Sequence, residues 1–184
     1  MKGVDSLRGQ LLVAAPSLLD PNFQRTVVLV AQHDDDGAMG VVLNRPGELE
    51  VSDAAPVLTE LVEPGAVVHV GGPVQPTGVV IVGQFNDPER AAVQVFDDVG
   101  FVAGDPDFDE LPTELRRARV FAGLAGWSPG QLEAEIERED WILEPATDDD
   151  VFSDDPEALW STVLERKGGS FALLARMPLD PSLN

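Results

Sequence analysis

Two short apolar runs separated by an acidic turn dominate the pattern of the chain. They are Val27-Val28-Leu29-Val30-Ala31 and Gly40-Val41-Val42-Leu43, with His33-Asp34-Asp35-Asp36-Gly37 between them. Runs of β-branched and aliphatic residues this short read as strands buried on both faces. Asp tolerates turn geometry and Gly37 accepts a positive φ without a Cβ clash, so the stretch predicts a central β-hairpin. Pro46 ends its second strand because it has no N–H for a ladder. In simple register, Arg25 lies at the same end of the hairpin as Asn44 and Arg45.

The rest of the pattern predicts further short strands with helices between them. Strands are expected over Leu7–Ala15, Val67–Val70, Val79–Val82, Ala92–Phe96, Val120–Leu124, Trp141–Leu143 and Phe171–Ala175. Helices are expected from Ser52-Asp53 to Pro64-Gly65, over Asp105–Arg117, after Ser128-Pro129, and from Asp155-Pro156 to Gly168-Gly169, with Asp148–Asp150 as a loop. Ser128 followed by Gln131 has the spacing of a capping box with Pro129 at the first helical position. The regular strand spacing predicts a mostly antiparallel, curling sheet. No internal repeat or linker divides the chain, so one domain over residues 1–184 is expected.

Composition narrows the class. A chain of 184 residues can hide roughly 70% of its unfolded surface in one core. No apolar run approaches the ~20 residues needed to span a bilayer. Leu11–Ala15 is too short for a signal-peptide core and charged residues precede it, and there is no cysteine for a disulfide. A cytoplasmic location without membrane association is therefore expected. Charge is the strongest signal: 33 acidic residues against 12 basic ones leave a net charge of −21. Duplex nucleic acid would be repelled, since binding it requires clustered Lys and Arg, and the one dense basic cluster is Arg116, Arg117 and Arg119.

The motifs that carry chemistry fail on inspection. Gly126-Trp127-Ser128-Pro129-Gly130 matches the G-x-S-x-G nucleophile elbow, but that elbow's oxyanion hole needs the N–H of the residue after Ser, and Pro129 has none. Asp105, Asp107 and Asp109 begin like an EF-hand loop, yet Glu110 and Arg116 stand where Gly and Glu are required. The chain has neither a Walker lysine loop nor a G-x-G-x-x-G sequence, and its two isolated histidines do not make a transition-metal site. No metal or cofactor is expected. His33 beside its aspartates is the candidate acid–base group, with a solvent-facing turn histidine as the plainer alternative. Gly71-Gly72-Pro73 offers either an anion-binding nest or tight packing of two chain segments. Trp127, beside a Gly-Pro corner, is a candidate groove wall.

Several stretches together carry a resemblance. Gly9 to Pro16, Asp20-Pro21-Asn22-Phe23 with Arg25, His33 with Gly37 to Pro46, Gly71-Gly72-Pro73-Val74, Ala125-Gly126-Trp127 with Gly130-Gln131-Leu132-Glu133, and Trp141 stand in the order of the YqgE/AlgH family of bacterial proteins, which the sequence resembles over nearly its whole length. The resemblance implies an α+β fold, a single domain in which a mostly antiparallel, barrel-like β-sheet is flanked by helices. It implies a cytosolic protein of unsettled role, some relatives being labelled transcriptional regulators. Gln32 stands where the family often has Glu, and Leu124 where it often has Tyr, which removes an acid–base pair and a tyrosine hydroxyl from those places.

The reading that follows is a monomeric, non-enzymatic binding module for a small anionic ligand or a protein segment. Its expected site is Asn22, Arg25, His33, Asn44, Arg45, Gly71, Gly72, Pro73 and Trp127, with Arg25 or Arg45 gripping a carboxylate or phosphate in bidentate fashion. The structural alternative is that both arginines pair with local aspartates such as Asp20. An enzyme using His33, with Trp127 walling its pocket, and a regulator acting through a protein partner are the other readings.

Overall fold

The central hairpin forms in the expected register. In the structure, a computed structural model that describes residues 5–178, β2 (Val27–Asp34) pairs antiparallel with β3 (Gly37–Val42), Val28 facing Val42 and Asp34 facing Gly37. Both strands are buried on two faces. Val27, Leu29 and Ala31 enter one core, with Val41 and Leu43, while Val28 and Val30 enter a second with Val42.

Around the hairpin, β1 (Gln10–Ala14), β4 (Pro46–Glu50), β5 (Val67–Val70), β6 (Val74–Phe85), β7 (Val93–Phe96), β8 (Val99–Phe101), β9 (Leu115–Trp127) and β10 (Trp141–Pro145) complete a ten-stranded sheet. Its path runs β10-β1-β2-β3-β9-β6-β8-β7, with β5 beside β9 and β4 beside β5. Every pairing is antiparallel except β5 with β9. The sheet curls enough for Val95, Val99 and Phe101 to share a core with Leu11 and Leu29. It does not close: β10 and β7 end the path. The barrel-like expectation thus holds as curvature without closure.

Helices flank both faces. The helical segments are α1 (Val51–Ala54), α2 (Leu111–Glu114), α3 (Gln131–Glu137), α4 (Asp148–Val151), α5 (Leu159–Lys167) and α6 (Ser170–Leu174). From α5, Leu159, Trp160, Val163 and Leu164 fill the first core, while Leu132 of α3 closes the second. Among the described residues no helix is long and apolar enough to cross a membrane.

Local pattern and tertiary pairing disagree in several places. The helix expected over 52–64 breaks into α1 and a 3-10 turn over Pro56–Leu61, because Pro56 has no N–H for the helix and forces Ala55 out of the α region. The helix expected over 105–117 shrinks to α2, and Arg116 and Arg117 belong to β9, where Arg117 faces Gln84 and Arg119 faces Val82 of β6. Pairing with β6 overrides the local signal. Asp148–Asp150 forms one helical turn capped by Thr147 rather than a loop. The stretch expected as a strand over Phe171–Ala175 is instead α6 with Ala175 as its C-cap, and Phe171, Leu174 and Ala175 pack on the core at helical spacing. At α3 the Gln131 side chain accepts the Ser128 N–H as the capping box requires, but the helix starts after Gly130 without a side-chain cap.

Gly71 and Gly72 close the tightest contact in the sheet. The Gly71 N–H donates to Ala122 and its carbonyl accepts from Val42. A methyl group on Gly72, whose φ is +152°, would sit 2.2 Å from the Leu124 carbonyl oxygen. Tight packing, rather than an open nest, is what these glycines provide. Gly72→Ala is expected to destabilise the fold by roughly 3 kcal/mol or more, combining backbone strain with a forced shift of β9. Gly65→Ala, which meets nothing within 4 Å, should cost about 1 kcal/mol. Urea unfolding of the two variants checks the contrast.

Candidate functional site

The polar residues at the base of the hairpin converge, but on the backbone. Asn44 clamps the two strand ends: its Oδ1 accepts the Val27 N–H at 2.9 Å and its Nδ2 donates to the Arg25 carbonyl at 2.8 Å. Arg45 donates to the carbonyls of Asn22 at 2.6 Å, Pro21 at 2.9 Å and Gln24 at 3.2 Å, tying down the loop that precedes β2. Arg25, at φ +56°, lays its guanidinium 4.2 Å from the centre of the Trp160 ring and donates to the Met177 carbonyl. Burial lowers the pKa of both arginines, and Asp20 partly offsets this at Arg45. Among the described residues neither forms an ion pair. Their donors are committed to holding a loop and residues near Met177, through carbonyls and an aromatic face rather than through the aspartates of the structural alternative.

His33 and Trp127 lie under α3. His33, the candidate acid–base group with a solvent-facing turn as its plainer alternative, has a side chain only 1% exposed. Its Nδ1 accepts the Leu7 N–H at 3.0 Å, so Nε2 carries the proton and donates to Glu133. Burial raises the Glu133 carboxyl, but the hydrogen bonds from His33 and from its own backbone outweigh it and leave the group below its usual range. Two residues along α3, Glu135 Oε1 accepts the indole N–H of Trp127 at 3.2 Å and of Trp141 at 3.1 Å. Phe23 stacks on Trp127 with ring centroids 6.0 Å apart and meets Trp141 edge-on. These side chains lock a helix onto the sheet. Gly71 and Gly72 are buried against β9 and Pro73 is exposed, so the residues expected to form one site divide between the hairpin base, the underside of α3 and the β5–β6 connection.

A different place has the geometry of a site. Where β5 diverges from β9, a cleft of about 620 Å³ opens between the 60–67 loop, the first half of β9 and residues 152–156. Its size falls within the ~300–1,000 Å³ typical of ligand pockets. His69, on the cleft wall, is 4% exposed. Its Nδ1 donates to the Val67 carbonyl at 3.3 Å, and its ring lies 5.5 Å from Phe121. Among the described residues Nε2 is the buried side-chain polar atom without a partner. Burial, reinforced by the neighbouring charge of Arg119, pushes the imidazole down to about 4, against the weaker pull of the Val67 carbonyl. His69 is therefore neutral at pH 7, with a buried Nε2 acceptor that lacks a partner.

Arg119 lies beside it on β9. It donates to the Val151 carbonyl at 3.2 Å and the Ser153 carbonyl at 2.9 Å, and makes no ion pair among the described residues. Burial lowers its pKa, Glu63 and Asp154 at the rim raise it, and Arg117 lowers it. Arg117 donates to Gln84 at 2.9 Å and Asp148 at 3.3 Å and covers the Phe152 ring at 4.7 Å, while Arg116 pairs with Asp98. A smaller hollow of about 400 Å³ around Arg90 is ringed by carboxylates, Glu110 and Glu114 among them. In a chain of net charge −21, the β9 cleft is where positive charge meets concave, partly apolar surface. The sequence carried one usable signal for it: Arg117, Arg119 and Phe121 alternate with Ala118 and Val120, a strand period.

The chain is similar to known proteins over its whole length. The profile of a family described as AlgH-like matches residues 11–172. The UPF0301 protein SCO2948 of Streptomyces coelicolor is 43% identical over 190 residues, covering 100% of this chain and 98% of its own. A UPF0301 protein of Thermobifida fusca is 45% identical, with 97% and 96% covered. Among solved structures, the crystal structure of protein DIP2367 from Corynebacterium diphtheriae superposes with a TM-score of 0.86 at 30% identity, covering 95% of this chain and 94% of that one. The solution structure of the AlgH protein from Pseudomonas aeruginosa gives 0.73 at 27% identity, with 97% of each chain covered.

The buried imidazole makes stability depend on pH in a defined window. Below its usual value of 6.5 an unfolded His69 takes up a proton that the folded chain refuses until about pH 4. Stability therefore falls as pH drops through that window and levels off beneath it. The wild type should lose up to about 3 kcal/mol more than His69→Gln between these limits, read as the difference between their urea midpoints. Parallel pH profiles would show that the ring is not held neutral.

Proposed function

We propose that this chain, which belongs to the AlgH-like family, is a non-enzymatic binding module that takes an anionic group, of a small ligand or a protein segment, into the cleft beside His69 and Arg119. One observation carries the reading: a buried imidazole with an unpartnered Nε2 beside a guanidinium without a carboxylate partner, both at a cleft of ligand size. A carboxylate or phosphate replaces the two carbonyls as acceptor for Arg119 with a stronger, charge-assisted bond. A small shift of the ring would let hydroxyl or amide hydrogens next to the anion donate to the unpartnered Nε2 of His69.

Acid–base catalysis by His33 loses its support, because both ring nitrogens are hydrogen-bonded inside the protein. The module works in the cytoplasm, and any regulatory role runs through a protein partner, since a charge of −21 opposes contact with nucleic acid.

Calorimetric titration with inorganic phosphate at low ionic strength tests the reading. Binding should weaken at least ~10-fold in Arg119→Gln, the worth of one charge-assisted bond. Arg45→Gln should lose stability yet keep the wild-type affinity. Unchanged affinity in Arg119→Gln, or dependence on Arg45 instead, would move the site back to the hairpin base.

A further inference from the structure

β9 is bonded unevenly along its two edges. One edge is paired with β6 from Leu115 to Leu124, with register shifts between Leu115 and Arg117 and between Ala122 and Leu124. The other is met by β5 at Phe121 and Ala122 and by β3 from Ala125 to Trp127. Arg116 to Val120 therefore present, among the described residues, a strand edge with no strand on it. These consecutive residues line the cleft, and the 60–67 loop that leads into β5 forms the opposite side. The cleft is the lane that β5 leaves open next to β9.

The two faces of that lane differ in chemistry. Arg117 and Arg119 point to the side of Phe152 and Ser153, together with Phe121. Ala118 and Val120 point to the side of Val51, Leu58 and Ile81. A strand entering the lane presents its side chains alternately to these two sides, because successive residues of a strand face opposite ways. We propose that the lane receives an extended segment of a partner protein in which acidic and apolar residues alternate, adding to the free edge of β9 as a further strand. Main-chain hydrogen bonds supply affinity in such additions and the alternating side chains supply specificity.

The acidic positions face Arg117 and Arg119, and the apolar ones extend the cluster around Val120. Arg117–Asp148 is a half-exposed pair of a kind worth little in water, so this guanidinium exchanges partners at small cost. Glu60, Glu63 and Asp154, also on the cleft wall, disfavour a segment that is acidic at every position. The inference rests on the anion-binding reading of the cleft and adds the form in which the anion arrives.

Fluorescence anisotropy of the full chain with a labelled Glu-Val-Glu-Val-Glu-Val peptide tests it without altering the protein. The peptide should bind, and its Lys-for-Glu counterpart should bind at least ~10-fold more weakly. N-methylation of one alternate set of peptide amides should cost at least ~10-fold and methylation of the other set little, because only one edge of an added strand bonds to β9. Equal tolerance of both methylated sets, or equal binding of the Lys peptide, would overturn strand addition. Phosphate binding without peptide binding would also overturn it while leaving the anion site in place, and binding of neither would remove both.

Discussion

Two backbone segments meet where no side chain fits: Gly71 and Gly72 lie against Gly123 and Leu124. A Cβ on Gly71 would come within 2.3 Å of the Gly123 carbonyl oxygen, and one on Gly123 within 2.3 Å of that of Gly72. This contact lets β9 serve both halves of the sheet. Beyond it β9 pairs with β3 through Gly126 and Met39; before it, β5 and β6 flank the strand. Gly123, at φ +82°, also resets the alternation of β9. Phe121 and Leu124 both face the core under α5, and Ala125 and Trp127 face the core under α3. β5 reaches β9 only just before this crossing, at His69 and Val70, and the stretch of β9 before that pairing borders the cleft.

The arginines are used unequally in a chain dominated by carboxylates. Arg25 and Arg45 satisfy carbonyl groups of the loop before β2 and of Met177. Their removal exposes backbone acceptors, which is a structural loss. Arg119 also holds carbonyls, but beside a ligand-sized opening and a histidine acceptor without a donor. The same residue type thus serves as a tie at one end of β2 and as a candidate receptor at the start of β9.

Much of the fold was legible because burial and period agree in it. The two-faced burial of β2 and β3, the turn at Gly37 and the alignment of Arg25 with Asn44 and Arg45 follow from composition and register alone. The helix of Leu159 to Leu164 announces itself by Asp155 and Pro156. Leu115 to Arg117 misled because the strand character of that stretch comes from β6, distant in sequence. Phe171–Ala175 misled because a short apolar run fits either period. Polar residues with family-like motifs marked structural ties at the hairpin base, while the cleft residues are spread along the chain from Pro46 to Pro156 and only the sheet assembles them.

The account turns on whether an anion goes to the first half of β9 or to the hairpin base. Nitrogen-edited NMR during a phosphate titration reports both places in one experiment. An anion in the cleft shifts the amides of Arg117 to Val120, His69 and Ser153 most strongly. Shifts confined to Asn22–Arg25, Asn44 and Arg45 would contradict it.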